Sequence, residues 1–428
     1  MTERGQGRRP RTAVIGGGVS GLTAAYVLSR AHDVTVYEAD DRLGGHAHTH
    51  DLKGPDGVLR SVDSGFIVHN DRTYPRLLRL FDELGVATRS TTMSMSVHCE
   101  GCGLEYAGAR GPRGLLARPR GVLDPAYLRM LALVPVFHRR ARQLLAAPPG
   151  DEPTLGEFLR RHRFGGYFAA HFAIPLVSCV WSCPENTALR YPARYLFRFL
   201  EHHGMLAIGG SPHWRTVSGG SAQYVRLLNE RLGPGAVRVA APVRALERGP
   251  REVRVTLADG TRATYDSVVV AVHADQALAL LADPTDAERT LLGAFGYSRN
   301  RTVLHTDTSV LPRSAGARAC WNFRLSGCRP GDARVRVSYD MNRLQGLDGP
   351  EPYVVTLNAD GRVRPELVLA EMDYEHPVYT PESVAAQRRL PELSGPVTAF
   401  AGAYHGWGFH EDGCRSGAEA AEALGVVW

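Results

Sequence analysis

The chain has 428 residues, enough for two or three connected units rather than one core. Hydrophobic residues make up 44% and charged residues 22%, which excludes a largely disordered chain, and no apolar run reaches the length of a membrane span. The net charge of +6 is almost wholly arginine, since Lys53 is the sole lysine and so the one source for a lysine base or Schiff base.

The arginine bias reads as codon usage, and no nucleic-acid partner is expected. Seven cysteines, an odd and scattered set, predict a reduced compartment without a disulfide framework. Cys99 and Cys102 form a C-x-x-C with no second pair at zinc spacing, so HCEGCG reads as a hairpin tip and no metal is expected. The first ten or so residues read as a basic tail without an apolar signal core, which predicts a cytoplasmic protein.

Residues 13–15 are a short apolar run that predicts a buried parallel strand. Gly16, Gly18 and Gly21 follow as G-x-G-x-x-G: a tight turn, a backbone that a pyrophosphate can approach, and close packing of the next helix. That helix is expected over residues 20–30, with its free amides facing the phosphates. A second strand over residues 33–37 ends in Glu38, placed to accept hydrogen bonds from a ribose. A methyltransferase would share these features. The turn Arg42-Leu43-Gly44-Gly45 argues against one.

With that turn the N-terminal stretch resembles the extended FAD-binding signature of the amine oxidase, phytoene desaturase and protoporphyrinogen oxidase superfamily. The resemblance implies an α/β fold: a Rossmann-like FAD-binding domain of glutathione reductase-2 type with an interleaved α+β substrate domain. It implies FAD contacts at Gly16, Gly18, Val19, Ser20, Gly21, Glu38, Ala39, Arg42, Gly44, Gly45 and His46. The expected division is residues 1–90, 214–273 and 395–428 for FAD, and 91–213 and 274–394 for substrate.

His46, His48 and His50 alternate, so on a strand they would share a face; without supporting acids or cysteines they read as a polar flavin-side or solvent-side strand. Asp63-x-Gly65 resembles the superfamily segment that approaches the flavin ring, with a simple turn as the other reading. Pro75 opens a helix ending at Leu84, with Gly85 as its stop. Residues 91–106 alternate like a hairpin.

Residues 110–142, from Arg110 to Arg142, hold eight arginines and one acid, Asp124. They read first as a solvated arginine face on a substrate-domain helix kinked at Pro135, and second as peripheral contact with an anionic lipid surface at the inner face of the membrane. Residues 147–150 read as a loop and 153–163 as a short helix. Residues 164–199 are rich in aromatics, as either a core or an apolar substrate tunnel would be.

A glycine turn at Gly219-Gly220 and a helix over 222–232 return the chain to the FAD domain. Strands follow with a turn at Asp259-Gly260, and the resemblance sets Val243 against adenine. Trp321-Asn322-Phe323 reads equally as substrate wall or sheet core.

Near the C-terminus Phe400-Ala401-Gly402, Gly408-Phe409-His410-Glu411-Asp412-Gly413 and the helix behind them resemble the closing FAD motif, implying contacts at Gly402, Glu411, Asp412 and Gly413. The family's acid just after Phe-Ala-Gly is replaced here by Ala403-Tyr404. Several blocks also resemble FAD-binding oxidoreductases associated with cyclopropane fatty acid synthase. These are DRLGGHAHTH, VDSGFIVHNDRTYPRLLRLFDELGV, VHADQALALLADPTDAE, NRLQGL and GAYHGWGFHEDG. That resemblance implies a lipid methyltransferase or cyclopropane synthase as partner. The expected function is hydride removal from an apolar, fatty acyl substrate, with Tyr404, His405, Trp407 and Glu411 nearest to it and His405 as the titratable group. A flavin amine oxidase and a non-catalytic flavin-binding accessory protein are the alternatives. Against amines stands the lysine that such oxidases of the superfamily commonly hold near the flavin, which only Lys53 could supply.

Overall fold

The computed structural model describes residues 8–118, 124–148, 150, 152–207, 209–329, 331 and 334–428. The start of the expected N-terminal tail, residues 119–123 of the arginine stretch with Arg120, and Pro149 of the loop lie outside the described residues.

Five parallel strands form one sheet in the order Val237–Arg238, Asp33–Tyr37, Arg11–Ile15, Ser267–Val270, Thr398–Phe400. Their apolar runs are buried on both faces, as a parallel layer between helices requires; Ala13, Val14 and residues 268–270 are fully covered. The glycine turn feeds helix Val19–Leu28, which packs against the last helix, His410–Ala423. Glycines set how closely the two approach. A β-carbon on Gly413 would lie 2.6 Å from Val19 Cγ1, and one on Gly417 would lie 2.2 Å from the Ser20 carbonyl oxygen. Spaced four apart, they share a helix face and let a backbone press on a backbone. Beside the sheet stands an antiparallel layer of Val243–Arg248, Val253–Leu257 and Arg262–Tyr265. It turns at Asp259-Gly260, where Gly260 takes φ +87°.

A second, seven-stranded sheet has the order Val368–Val378, Gly296–His305, Val354–Leu357, Val337–Asp340, Trp321–Leu325, Met95–Cys99, Glu105–Gly108. Met95–Cys99 joins by parallel pairing with Trp321–Leu325, so two stretches far apart in the chain build one layer. Asn322 is committed inside it: its side chain accepts from Ser96 Oγ at 2.8 Å and donates to the Ser338 carbonyl at 3.0 Å. Of the two readings of Trp321-Asn322-Phe323, the sheet core therefore holds for Asn322 and for the buried Phe323.

A helical lobe covers this sheet. Helix Pro125–Ala146 starts at an Asp124 cap, has proline at its first position, and runs through Pro135 as a single element. Its Phe137 is ringed by Phe158, Phe164, Phe168, Phe172 and Phe197 at 5.5–5.9 Å between centroids. Such pairs contribute about 0.5–1.5 kcal/mol each beyond burial. Arg129, Arg139 and Arg140 face outward, while Arg110, Arg118 and Arg142 are spent on backbone carbonyls of neighbouring segments.

Two expectations are modified. The alternating histidines do not share one strand: only His50 lies in strand Thr49–Lys53, with His48 just before it and bonded to the Tyr374 hydroxyl at 3.0 Å. Asp63 is a structural tie rather than a simple turn residue, accepting from Thr49 Oγ1 at 2.6 Å, the Ser221 amide at 2.9 Å and Gln345 Nε2 at 2.9 Å. Cys99-x-x-Cys102 does form a hairpin tip, and the fold brings to it His171 and Cys328, which no spacing in the sequence links to the pair.

Candidate active site

The glycine turn shows which glycines serve the fold and which leave space. Gly16 takes φ +103°, and a β-carbon there would meet the Ala271 carbonyl oxygen at 2.5 Å. At Gly21 it would meet the Gly16 carbonyl oxygen at 1.9 Å. Gly18 is different: a β-carbon would touch nothing within 4 Å. It precedes helix Val19–Leu28 in extended backbone, so open space lies directly before a helix N-terminus, where the free amides and dipole favour an anion. The starts of Val19–Leu28 and His410–Ala423 stand side by side here through the Gly413–Val19 contact.

Around this point the other candidates assemble. Glu38 accepts from the Gly17 amide at 2.6 Å and the Asp40 amide at 2.9 Å, which aims its carboxylate along the turn. Ala39 is exposed beside it. Ala241 donates to the Glu38 carbonyl at 2.8 Å, bringing the strand that begins at Val243 alongside. Arg42 folds back on its own turn and donates to the Gly45 carbonyl at 2.9 Å. Gly44 pairs with Gly18 as an isolated bridge. Gly402 donates to Ser416 Oγ at 3.0 Å, tying the end of the last strand to the last helix.

Deeper in, His46, His376, His405 and His410 are half-buried. Burial pushes His405 and His410 down to about 3 and His376 to about 4. On the lobe side the wall consists of Trp181, Tyr195, Phe199, Trp407 and Phe409. The Phe199 and Phe409 rings stack at 4.9 Å, and Trp181 Nε1 donates to the Trp407 carbonyl at 2.9 Å. Residues 164–199 thus divide. Phe164, Phe168 and Phe197 belong to the Phe137 core, while Trp181, Tyr195 and Phe199 turn toward residues 404–409.

Several buried polar atoms in this region have no partner: Tyr404 Oη, His405 Nε2, Trp407 Nε1 and both ring nitrogens of His69. Orphans of this kind each cost about 1–3 kcal/mol, so a cluster of them marks a surface that expects a polar ligand or water. Together with the open cradle at Gly18, they fit a dinucleotide running from the glycine turn toward the half-buried histidines.

Two of the proposed substrate-side groups are corrected. Glu411 caps helix Pro75–Leu84 from outside, accepting from Arg76 N at 3.0 Å and Leu77 N at 2.9 Å, with burial raising its carboxyl to about 7. Its carboxylate is engaged away from the aromatic wall. His405 is no near-neutral titrating group; burial and the Arg415 charge keep its ring neutral throughout the working pH range. Asp412 is also occupied, since its Oδ2 accepts from Phe409 N at 3.0 Å to close the N-terminal cap of its own helix. Tyr404 packs its ring on Phe295 at 5.2 Å, and Trp407 remains in the wall.

Sequence reasoning did not find His376, His69, Phe66 or Gln387. His376 meets the His46 ring at 5.3 Å, and Phe66 stacks on His410 at 3.7 Å. Gln387 Nε2 holds the carbonyls of Tyr404 and Gly406 at 2.7 and 2.6 Å, which shapes the loop carrying Trp407. Phe66 and His69 share one short segment, but His376 and Gln387 come from distant parts of the chain with no common spacing, and for the two histidines the one signal was the unexplained density of that residue.

The family profile of flavin containing amine oxidoreductases matches residues 19–338. A protein named as a flavin-containing monoamine oxidase, AofH of Mycobacterium tuberculosis, is 30% identical over 63% of this chain and 58% of its own length. The coproporphyrinogen III oxidase of Mycobacterium leprae is 28% identical over 63% of this chain and 60% of its own. The chain thus aligns with about three fifths of the length of these curated relatives. Among solved structures, a CLA-producing fatty acid isomerase from P. acnes superposes with a TM-score of 0.67 and 17% identity, covering 97% of this chain and 99% of that one, which speaks to the fold.

Proposed function

The chain belongs to the family of flavin-containing amine oxidoreductases, whose cofactor is FAD, and from that premise we propose that it removes hydride from an apolar substrate, a fatty acyl chain of a lipid. The observation that carries the reading is the cluster of uncharged rings packed against residues 404–409. Trp181, Tyr195, Phe199, Trp407 and Phe409 present rings, and burial drives the Tyr195 phenol well above its ordinary range, so none of these residues is ionised at neutral pH. An acyl chain gains free energy by leaving water for such a surface, about 0.8 kcal/mol per buried CH₂. Lys53 is exposed at the end of strand Thr49–Lys53, on a hairpin edge.

Gly18, Val19 and Ser20 at the turn, Glu38 at the ribose, Gly402 beside the last helix and Gly413 within it would hold the dinucleotide. When bound, the isoalloxazine supplies a hydride acceptor. The chain's own part is to exclude water with the aromatic wall, to orient the substrate, and to set the amides at the start of helix His410–Ala423 toward accumulating negative charge. The outward arginines of helix Pro125–Ala146, with Leu128 exposed next to Arg129, suit a peripheral lipid contact that supplies the substrate. A lipid-modifying synthase is the partner class this reading favours.

A second reading, oxidation of an amine, is favoured by the AofH match. One experiment separates the two. The yellow protein is mixed anaerobically with phospholipid vesicles bearing modified acyl chains, or with primary amines, and bleaching is followed. Bleaching by lipid, with a product lighter by two hydrogens and unchanged in Lys53→Met, is expected. Bleaching by amines, lost in Lys53→Met, selects the second reading. Vesicle binding with no bleaching points to the accessory-protein role.

A further inference from the structure

At the far edge of the seven-stranded sheet, away from the flavin cradle, four side chains of metal-ligating type converge. Cys99 ends strand Met95–Cys99, and Cys102 follows in the turn to Glu105–Gly108. Cys328 lies in the loop after Trp321–Leu325, and His171 sits within the π-helical segment Ala169–Ala173. Their ligand atoms all lie within 4.8 Å of one another. We propose that Cys99, Cys102, Cys328 and His171 bind one structural zinc ion.

Four features support the assignment, each read from geometry. The first is spacing. Tetrahedral zinc with Zn–S near 2.3 Å and Zn–N near 2.05 Å separates two sulfurs by roughly 3.8 Å, and sulfur from nitrogen by roughly 3.6 Å. The Cys99 and Cys328 sulfurs are 3.7 Å apart, and Cys102 Sγ lies 3.6 Å from His171 Nε2.

The second is the histidine tautomer. His171 Nδ1 is 3.0 Å from the Tyr167 carbonyl, which can only accept, so the proton sits on Nδ1 and the Nε2 lone pair points at the cysteines. The ring is held by stacking on Tyr167 at 4.1 Å, and the His171 carbonyl accepts from Tyr106 Oη at 2.7 Å. A π-helical turn is an uncommon local structure that tends to occur at functional positions, and here it presents His171 to the hairpin.

The third is the shape of the C-x-x-C turn. The Gly103 amide donates to the Cys99 carbonyl at 2.9 Å and the Cys99 amide to the Leu104 carbonyl at 2.9 Å, which closes the turn that carries both cysteines. Gly103, directly after the second cysteine, takes φ +71°. The fourth is the seam between the loops. A β-carbon on Gly101 would lie 3.1 Å from Gly327 Cα and 3.4 Å from Cys328 Sγ, so the approach that completes the set depends on glycine. Arg324 and Arg362 lock the turn to the sheet through Glu100 at 2.6 and 2.8 Å.

Three thiolates and one neutral imidazole fill all four positions and leave none for water, so the ion is structural rather than catalytic. It staples the hairpin and the loop near residue 328 to the chain segment that continues as helix Ile174–Trp181. That helix ends in Trp181, the residue that grips the Trp407 carbonyl. The site therefore braces one end of the element whose other end shapes the aromatic wall.

The test uses the full chain, produced with zinc and iron both supplied and purified without a metal-affinity step. Elemental analysis should find about one zinc and little iron per chain, independent of flavin content. Cys102→Ser and Cys328→Ser should each lose it and lower Tm. Should these variants fail to fold, cobalt(II) exchanged into the unaltered protein keeps the question open to measurement. It should give the intense visible bands of a tetrahedral site with sulfur-to-metal charge transfer. Zinc well below stoichiometric with no such bands, or an intact mass two hydrogens light from a disulfide among these cysteines, would overturn the proposal.

Discussion

At Gly21 a β-carbon would lie 1.9 Å from a backbone oxygen, whereas Trp407 rests on the rings of Tyr195, Phe199 and His202 at 5.6–6.3 Å. The glycine frame and the aromatic wall both pack against the segment that leads into the last helix, but their tolerances differ. The frame is backbone against backbone and cannot yield. The wall is side chain against side chain and is set by which rings happen to arrive there. Cofactor binding should therefore fail abruptly with small changes in the frame, and substrate handling should degrade by degrees with changes in the wall.

The largest effect should come from the frame. Gly21→Val forces a branched side chain into the Gly16 carbonyl and should prevent folding. Gly18→Val meets empty space, so the protein should fold with near-normal circular dichroism and yet purify colourless. A yellow Gly18→Val protein would break the comparison. Trp407→Ala should keep its flavin, lose about 2 kcal/mol in a urea melt, and slow flavin reduction by substrate roughly 10- to 100-fold. Loss of flavin together with activity would show that the wall also belongs to the frame.

An intermediate effect is expected from pH, because the two regions meet through buried histidines. His69, His203 and His376 are held down to about 4, and His405 and His410 to about 3, each chiefly by burial. With folded values below the unfolded 6.5, their stabilising effect is full above pH 6.5 and is lost as pH falls toward 4. Buried Asp63 and Asp412, raised to about 6, and Glu411, raised to about 7, act in the opposite sense and favour the fold as pH drops. The histidines are more numerous, so Tm should fall between pH 6.5 and 4, and His376→Gln with His405→Gln should flatten that slope. The smallest effect concerns Glu411. As a cap on helix Pro75–Leu84, Glu411→Ala should cost roughly 0.5–2 kcal/mol of stability and leave the rate of flavin reduction unchanged. A large fall in rate would return Glu411 to the chemistry.

The cofactor frame was legible because its chemistry is local. Gly16, Gly18 and Gly21, the strand before them, Glu38 after the next strand and the Arg42–Gly45 turn stand in one short run, and at Gly16, Gly21 and Gly44 a β-carbon would run into a backbone carbonyl oxygen. The helix from Pro75 to Gly85 was legible for the same reason, having its start signal, apolar spacing and left-handed stop in a single segment. What composition could not tell apart, tertiary contact did. Phe197 and Phe199 are neighbours of identical type, yet one packs on Phe137 and the other on Phe409, since successive helical positions face different ways. Glu411 changed from chemistry to capping because a helix start more than three hundred positions away needed an acceptor. Cys99 and Cys102 lacked half a ligand set until a π-turn and a sheet loop delivered His171 and Cys328. Sequence by itself determined where the backbone must bend and approach, because those demands are written in residues a few positions apart. Only the tertiary structure decided which side chains share a site, because that depends on long-range closure of sheets and helices that no local spacing encodes.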